Sequence, residues 1–330
     1  MKNPEVIRQN NNVRVVVCTA AELFDEGKDD KGKYVGGKWG GPYLRAPDIY
    51  FRILEKAGDK LVRLGDVAEV RFGIKTGAND FFHLEVLSHR PICPVCGEVH
   101  EDALTAEGER SYWEQGQQPP KNKLVAVKNG AGREGYLEAA NLKPLVKSYG
   151  ELVSNPNAIP TLRLFVYAGG EHSEDYLHYG ERMGVSRRPS VSSRSPWWKL
   201  SPLTPPLAIV PAGVDQDYTF LPNSRGFLID KRLYGLFNME PTILALMNTA
   251  LFKLSLEVLV RTGLGGGLAD FTVYEYKQGL LLDPRLLPGD VDEVSDDLVA
   301  DVLDLTAKER HELWLALEQL IEERVSRANS

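Results

Sequence analysis

The chain has 330 residues with 43% apolar content, enough for one large or two ordinary domains with a real core, and this excludes a disordered or fibrous class. No apolar run reaches the ~20 residues of a membrane-spanning helix; Met1-Lys2-Asn3-Pro4-Glu5 is not the opening of a secretory signal, and three cysteines, an odd number, point to a reducing, cytoplasmic setting without a membrane partner. The net charge of -7 argues against strong nonspecific binding to nucleic acid, but it is uneven: from Asp283 onward there are 13 acidic and 5 basic residues, whereas the stretch 181–200 holds Arg182, Arg187, Arg188, Arg194 and Lys199 against Glu181 alone.

Residues 13–17 read as a strand, and a charged, glycine-containing loop follows over 25–41. The block 38–47 leads into a short helix over 48–56, with Asp48 as its N-cap. The first 60 residues are either a connector between domains or, around Trp39 and Tyr43, a packed surface loop. Next, Val67, Val70, Phe72 and Ile74 form a β-prone apolar run that Gly73, Thr76, Gly77, Ala78, Asn79 and Asp80 interrupt and Phe81-Phe82 resume. The pattern predicts strand, tight polar turn, strand. Arg71 and Lys75 supply cations, Thr76 and Asn79 supply neutral donors and acceptors, and the glycines permit close backbone approach. Such a turn can hold a phosphate and face a base edge; it can equally be an ordinary hairpin whose glycines serve geometry alone.

An insertion over 86–121 carries His89, then Cys93-Pro94-Val95-Cys96-Gly97, then His100. The Cys-Pro-x-Cys-Gly form is that of a zinc knuckle, in which glycine allows the turn that aims both thiolates at one tetrahedral ion. A second cysteine pair is absent, so a structural zinc would be held by Cys93, Cys96, His100 and His89; two reduced, unligated thiols are the competing account. A catalytic zinc is not indicated, since no His-x-Glu partner accompanies the pair.

Further along, 123–128 predicts an alternating strand, 130–135 a turn, 162–167 a strand and 176–183 a short helix. The stretch 184–194, with Arg187, Arg188, Ser192 and Arg194 among its serines and Pro189, is too polar and broken for a core element and reads as an exposed loop. It has the residue types that read guanine and contact phosphate, and it leads into Trp197-Trp198, at least one of which belongs in the core, and Lys199. Residues 207–211 and 227–230 read as strands, and 241–260 as a single helix with Ile243, Leu244, Met247, Leu251, Leu254 and Val258 on one face. Arg261 then opens a glycine-rich run that lacks the Gly-Lys-Ser/Thr of a nucleotide-binding loop. Two amphipathic helices with acidic faces, 294–305 and 307–327, make a C-terminal helical segment over 286–330.

Five segments of this chain, in order, resemble the target-recognition (C-terminal specificity) region of TaqI-like and type IIG adenine-N6 DNA methyltransferases. They are Val70-Arg71-Phe72-Gly73-Ile74-Lys75-Thr76-Gly77-Ala78-Asn79-Asp80-Phe81-Phe82; Leu142-Lys143-Pro144-Leu145-Val146-Lys147; Arg194-Ser195-Pro196-Trp197-Trp198-Lys199-Leu200; Leu246-Met247-Asn248-Thr249-Ala250-Leu251; and Val273-Tyr274-Glu275-Tyr276. The matches span about residues 38–284. The catalytic half of such an enzyme, with its S-adenosylmethionine turn and its Pro-Pro-aromatic loop, has no counterpart here: Pro119-Pro120 and Pro205-Pro206 lack the aromatic that stacks on a flipped adenine.

The resemblance implies a noncatalytic DNA-reading part of a restriction-modification system, whose partners are double-stranded DNA and a methyltransferase catalytic domain or subunit that binds S-adenosylmethionine. It implies an α/β (α+β) fold with a mixed, mainly antiparallel twisted sheet and a recognition domain over 61–285. Its DNA face would comprise Arg71, Lys75, Thr76, Asn79, Lys143, Lys147, Arg187, Arg188, Ser192, Arg194, Lys199 and Arg261, which requires the turn at Lys75 and the arginine loop to share one side of the molecule. Two other readings stand beside it: a protein-assembly subunit that binds through its acidic helices, and a metal-dependent nuclease using Asp80, His83, Glu171, His172 and Asp175, which lacks an Asp/Glu-x-Lys motif.

Overall fold

A computed structural model describes residues 5–10, 13–28, 32–34, 40–260, 267–288 and 294–326. The fold is α+β, with mixed helices and several mostly antiparallel sheets. It divides into two compact units, one made of Met1–Val70, Pro211–Phe220 and Phe237–Ser330, the other of Arg71–Val210 and Leu221–Leu236.

The second unit is built on a six-stranded sheet. Its strands are β1 (His83–Val86), β2 (Leu124–Asn129), β3 (Glu134–Glu138), β4 (Leu142–Val146), β5 (Leu162–Phe165) and β6 (Leu228–Ile229), in spatial order β6-β4-β5-β1-β2-β3. All neighbours run antiparallel except β6 and β4. Helices α1 (Asn79–Phe82), α2 (Ala106–Glu114) and α3 (Glu171–Arg182) accompany it. Phe81, Phe82, Leu84, Leu137, Leu164 and Phe165 form the centre of the main core, and Phe81 stacks on Tyr176 of α3 at 4.5 Å.

Three expectations are corrected here. Phe81 and Phe82 do not resume a strand: the carbonyl of Ala78 accepts both their N–H groups, which winds them into α1, and extended backbone starts only at His83. Strand β2 does not alternate between core and solvent. Val125 and Val127 point into the main core, while Ala126 packs in a second apolar cluster with Leu87, Cys93, Ala103 and Tyr136, so the insertion covers the face that would otherwise be wet. Helix α3 begins at Glu171, five residues ahead of the expected start, because the Glu138 carboxylate accepts the N–H groups of His172 and Ser173 at its first turn.

Within the same unit the side chains of Glu109 on α2 and Arg163 on β5 are 2% and 3% exposed and form a two-pronged ion pair, with Arg163 Nε 2.6 Å from Glu109 Oε1. Arg163 also donates to the carbonyl of Leu162 at 3.0 Å, and Glu109 accepts the indole N–H of Trp113 at 2.6 Å. The pair fastens the only helix of the insertion among the described residues to the middle of the sheet.

The first unit holds the hairpin Glu5–Asn10 with Val13–Val17, the helix Asp48–Ala57, and the helices Pro241–Met247, Ala250–Leu259, Val273–Gln278, Asp296–Val302 and Ala307–Ser326. Asp48 is not an N-cap: Pro47 holds that position, and Asp48 stands in the first turn, where its charge suits the exposed N–H groups. The expected single helix over 241–260 is two helices bent by 67°. Asn248 causes the break, since its side-chain amide accepts from the N–H of Phe220 and donates to the carbonyl of the same residue, as a strand neighbour would. No single helix among the described residues is long and apolar enough to cross a membrane. Glu257 and Arg324, both buried, pair at 2.8 Å and tie two of these helices together, with the Tyr218 hydroxyl donating to Glu257 at 2.6 Å. Arg261 and most of the glycine-rich run lie outside the described residues.

Removing one member of a buried ion pair leaves the other charge without compensation. Arg163→Ala is expected to destabilise the second unit by about 3–5 kcal/mol, whereas the joint replacement Glu109→Leu with Arg163→Met is expected to be near neutral. Urea unfolding of the single and double variants checks this; an equally large loss in both would mean that packing, not charge, matters at this position.

Candidate nucleic-acid interface

The turn between Arg71 and α1 is fixed from below by backbone. Gly73 N–H donates to the carbonyl of Leu233 at 3.0 Å and Ile74 N–H to that of Ile229 at 2.7 Å. A Cβ on Gly73 would lie 2.3 Å from the carbonyl oxygen of Asp230 and 2.4 Å from that of Ile229, so only glycine lets the two backbones approach this closely. Thr76 is 1% exposed and cannot face a ligand: its hydroxyl donates to Asn79 Oδ1 and accepts the N–H of Ala78 at 3.2 Å. Thr76 is thus the internal brace of the turn and, contrary to the expectation, no part of an exposed face. Lys75 is exposed and Asn79 half-buried.

The arginine loop starts where α3 ends. Gly184 takes a left-handed conformation, a short 3-10 turn spans Val185–Arg187, and buried Val185 and Val191 anchor the loop in the main core. Arg187, Ser192 and Lys199 are exposed. The loop and the turn touch at three points. Arg188 grips Asp80 with both guanidinium nitrogens, Nη2 lying 2.7 Å from Oδ2. Arg194 Nη2 donates to the carbonyl of Lys75 at 3.0 Å. Gly77 lies directly against Ser190, whose atoms would sit 3.0 Å from an added Cβ. The two stretches, more than a hundred residues apart, therefore form one continuous edge of the second unit.

Two of the expected cations are partly used in building this edge. The Arg188 guanidinium holds the Asp80 carboxyl below the usual carboxylate range, more than burial raises it. Burial pushes the Arg194 guanidinium below its ordinary value, and its Nη1 has no hydrogen-bond partner among the described residues. Asp80 was not foreseen in this role; a signal was present in the lone acid of a turn that faces an arginine-rich loop. Trp197 and Trp198 are both half-buried. Trp197 leans on Phe81 and donates its indole N–H to Glu181 at 3.2 Å, while Trp198 meets Tyr167 edge-on at 4.9 Å, so neither ring is simply offered to a base.

The remaining expected residues are placed differently. Arg71 is half-buried at the entry to the turn. Lys143 lines a groove of about 290 Å³ with Trp113, Arg225 and Phe227, to which neither the turn nor the arginine loop contributes. Lys147, at the end of β4, lies near His83 and Asp230, which sit 3.6 Å apart beneath the turn. Burial keeps the His83 imidazole below its ordinary value, Asp230 opposes this, and Lys147 and Arg232 reinforce it.

In the insertion, one donor atom each from Cys93, Cys96 and His100 lies within 4.8 Å of the others, so the three could hold a metal ion. His89 is not among them: it is drawn instead to Glu134, the first residue of β3, its Nε2 3.1 Å from Oε2. Two of the three acids of the nuclease reading are engaged, Asp80 by Arg188 and Asp175 by Arg133 at 2.6 Å and Arg182 at 3.8 Å, while Glu171 is exposed.

No family model matches the chain, and no curated protein matches it. Solved structures do match, among them one described as the type IIG restriction endonuclease BpuSI, at 12% identity and a TM-score of 0.42 over 86% of this chain and 34% of that one. The present chain thus spans about a third of the length of that protein.

The clamp between Arg188 and Asp80 has a pH signature. Because the folded-state carboxyl titrates below its unfolded value of about 3.9, the clamp stabilises the fold above that value and loses its effect as the pH falls through the lower folded-state value. Both side chains are about a third or more exposed, so Asp80→Asn is expected to cost about 1 kcal/mol or less at neutral pH. Urea midpoints of wild type and variant should differ near neutrality and converge as acid is added; a gap of constant size would assign the effect to something other than this charge.

Proposed function

We propose that the chain selects a DNA sequence as the noncatalytic specificity part of an adenine-N6 methyltransferase in a restriction-modification system. The catalytic half, carried elsewhere, would flip the adenine and transfer the methyl group from S-adenosylmethionine. A base that has left its stack has lost its neighbours, so its sequence context must be read by a second surface. The observation that carries this reading is the joining of the Lys75 turn to the arginine loop through the Arg188–Asp80 and Arg194–Lys75 contacts. It draws the first and third of the five resemblance segments into one edge on which Lys75, Arg187, Ser192 and Lys199 are exposed.

On this edge the roles divide by chemistry. Lys75, Arg187 and Lys199 are suited to phosphates or to the O6 and N7 acceptors of guanine, Ser192 to a phosphate oxygen, and the amide of Asn79 to an adenine edge. Arg188 and Arg194 hold the two loops in register and act on DNA mainly through the shape they maintain. The limited number of free cations fits a reader that relies on a larger partner for most of its electrostatic attraction.

Lys75→Ala and Arg187→Ala are each expected to weaken binding of the full chain to duplex DNA and to lower the slope of log affinity against log salt by about 1. Lys308→Ala, on the exposed face of the last helix, is expected to change neither. Fluorescence anisotropy on a pool of mixed-sequence duplexes over a salt series measures both quantities. Equal affinity and slope for wild type and the two edge variants would remove this edge from the reading.

A further inference from the structure

The sequence suggests a Cys-Pro-x-Cys-Gly knuckle, and the geometry of the second unit supplies what the knuckle lacks. Its backbone has the form of a metal-binding turn: Gly97 N–H donates to the carbonyl of Cys93 at 2.9 Å, Val95 N–H points at Cys93 Sγ at 3.4 Å, and Gly97 has a φ of 79°. Cys93 is buried in the second apolar cluster, and the ring of Tyr136 from the same cluster packs edge-on against His100 at 4.8 Å. Two of the donor atoms, Cys96 Sγ and His100 Nε2, stand 3.5 Å apart.

A further donor beside His100 is one that no sequence spacing suggests. His172, in the first turn of α3, brings its Nε2 to 3.3 Å from His100 Nε2, the two rings crossing at 76°. Tetrahedral zinc, with bonds of about 2.3 Å to sulfur and about 2.0–2.1 Å to nitrogen, places sulfur and nitrogen ligands about 3.5 Å apart and two nitrogens about 3.3 Å apart. Both of these spacings agree with these values; His172 stands outside the set of three donors that lie mutually within 4.8 Å, so closing the site requires its ring to move toward the thiolates. The other nitrogen of His172, Nδ1, lies 3.5 Å from Glu138 Oε1, the carboxylate arrangement that commonly orients a metal-bound imidazole through its far nitrogen. Glu138 is itself held in place, accepting the N–H groups of His172 and Ser173 and the Ser173 hydroxyl.

We propose that Cys93, Cys96, His100 and His172 form a closed two-thiolate, two-imidazole zinc site, with Glu138 as the residue that positions His172. Four protein ligands leave no open coordination position, so the ion is structural. It fastens the insertion to the start of α3, the helix whose other end carries the arginine loop. The site stands independently of any DNA-reading role.

The full chain, purified without added metal or chelator, is expected to contain one zinc per molecule by elemental analysis. Replacement by cobalt(II) should give the visible bands of a tetrahedral ion together with thiolate-to-metal charge-transfer absorption in the near ultraviolet. His172→Cys is expected to keep a tetrahedral cobalt spectrum and to raise the charge-transfer intensity by about half, since three thiolates replace two. His172→Ala should weaken cobalt affinity by about 10–100-fold or more, and Glu138→Gln by less. His89→Ala should bind as wild type does. The proposal is overturned if the chain is isolated metal-free with two freely titratable thiols at Cys93 and Cys96 and takes up no cobalt. It is equally overturned if His172→Cys leaves the charge-transfer intensity unchanged, or if His89→Ala, and not His172→Ala, weakens the metal.

Discussion

The arrangement of the candidate surface depends on one ion pair between parts of the chain that are distant in sequence, Arg188 on Asp80. Two bonds in parallel fix both the distance and the angle between the partners, which a single contact would not do. With Arg194 reaching the carbonyl of Lys75, the pair holds a polar loop against a polar turn, although neither has much apolar surface of its own. What prevents these loops from drifting is the apolar anchor at each end: Phe81 behind the turn, Val185 and Val191 behind the loop, all in the same core. Charge sets the register, and burial supplies the stability.

The clamp also changes the electrostatics of the edge. A cluster of arginines in the sequence is not a cluster of free positive charges in the fold, because Asp80 cancels one and burial restrains another. Arg187, Ser192 and Lys199 are among the side chains of this stretch that project to solvent, while the two tryptophans turn toward Phe81 and Tyr167. Rigid aromatic support beneath and short-range cations above suit selective contact better than diffuse attraction to a polyanion.

The insertion has a comparable logic on the opposite side of one strand. Ala126 of β2 faces away from the main core, and without the insertion it would meet water; Cys93 and Ala103 of the insertion cover it beside its strand neighbour Tyr136. A stretch this rich in polar residues has little apolar area with which to hold its place. Its helix is fastened by a directional contact, the Glu109–Arg163 pair, and at the knuckle Cys93, Cys96 and His100 are grouped closely enough that they could hold a metal ion.

Local patterns determined much of this protein. The strands β2 and β5, the two C-terminal helices, the exposed character of the arginine loop and the knuckle at Cys93 follow from residue types and spacing over a few positions, since backbone preference and side-chain periodicity act over that range. Tertiary structure decided what depends on partners from elsewhere in the chain. It wound Phe81 and Phe82 into a helical turn, broke the long helix where Asn248 bonds to Phe220, buried Thr76 and set Asp80 against Arg188. It also brought His172 to His100 across 72 positions and drew His89 away to Glu134. A sequence lists which side chains carry charge, a hydroxyl or an imidazole; only packing decides which of them meet, because each contact depends on the positions of two segments that no local pattern relates.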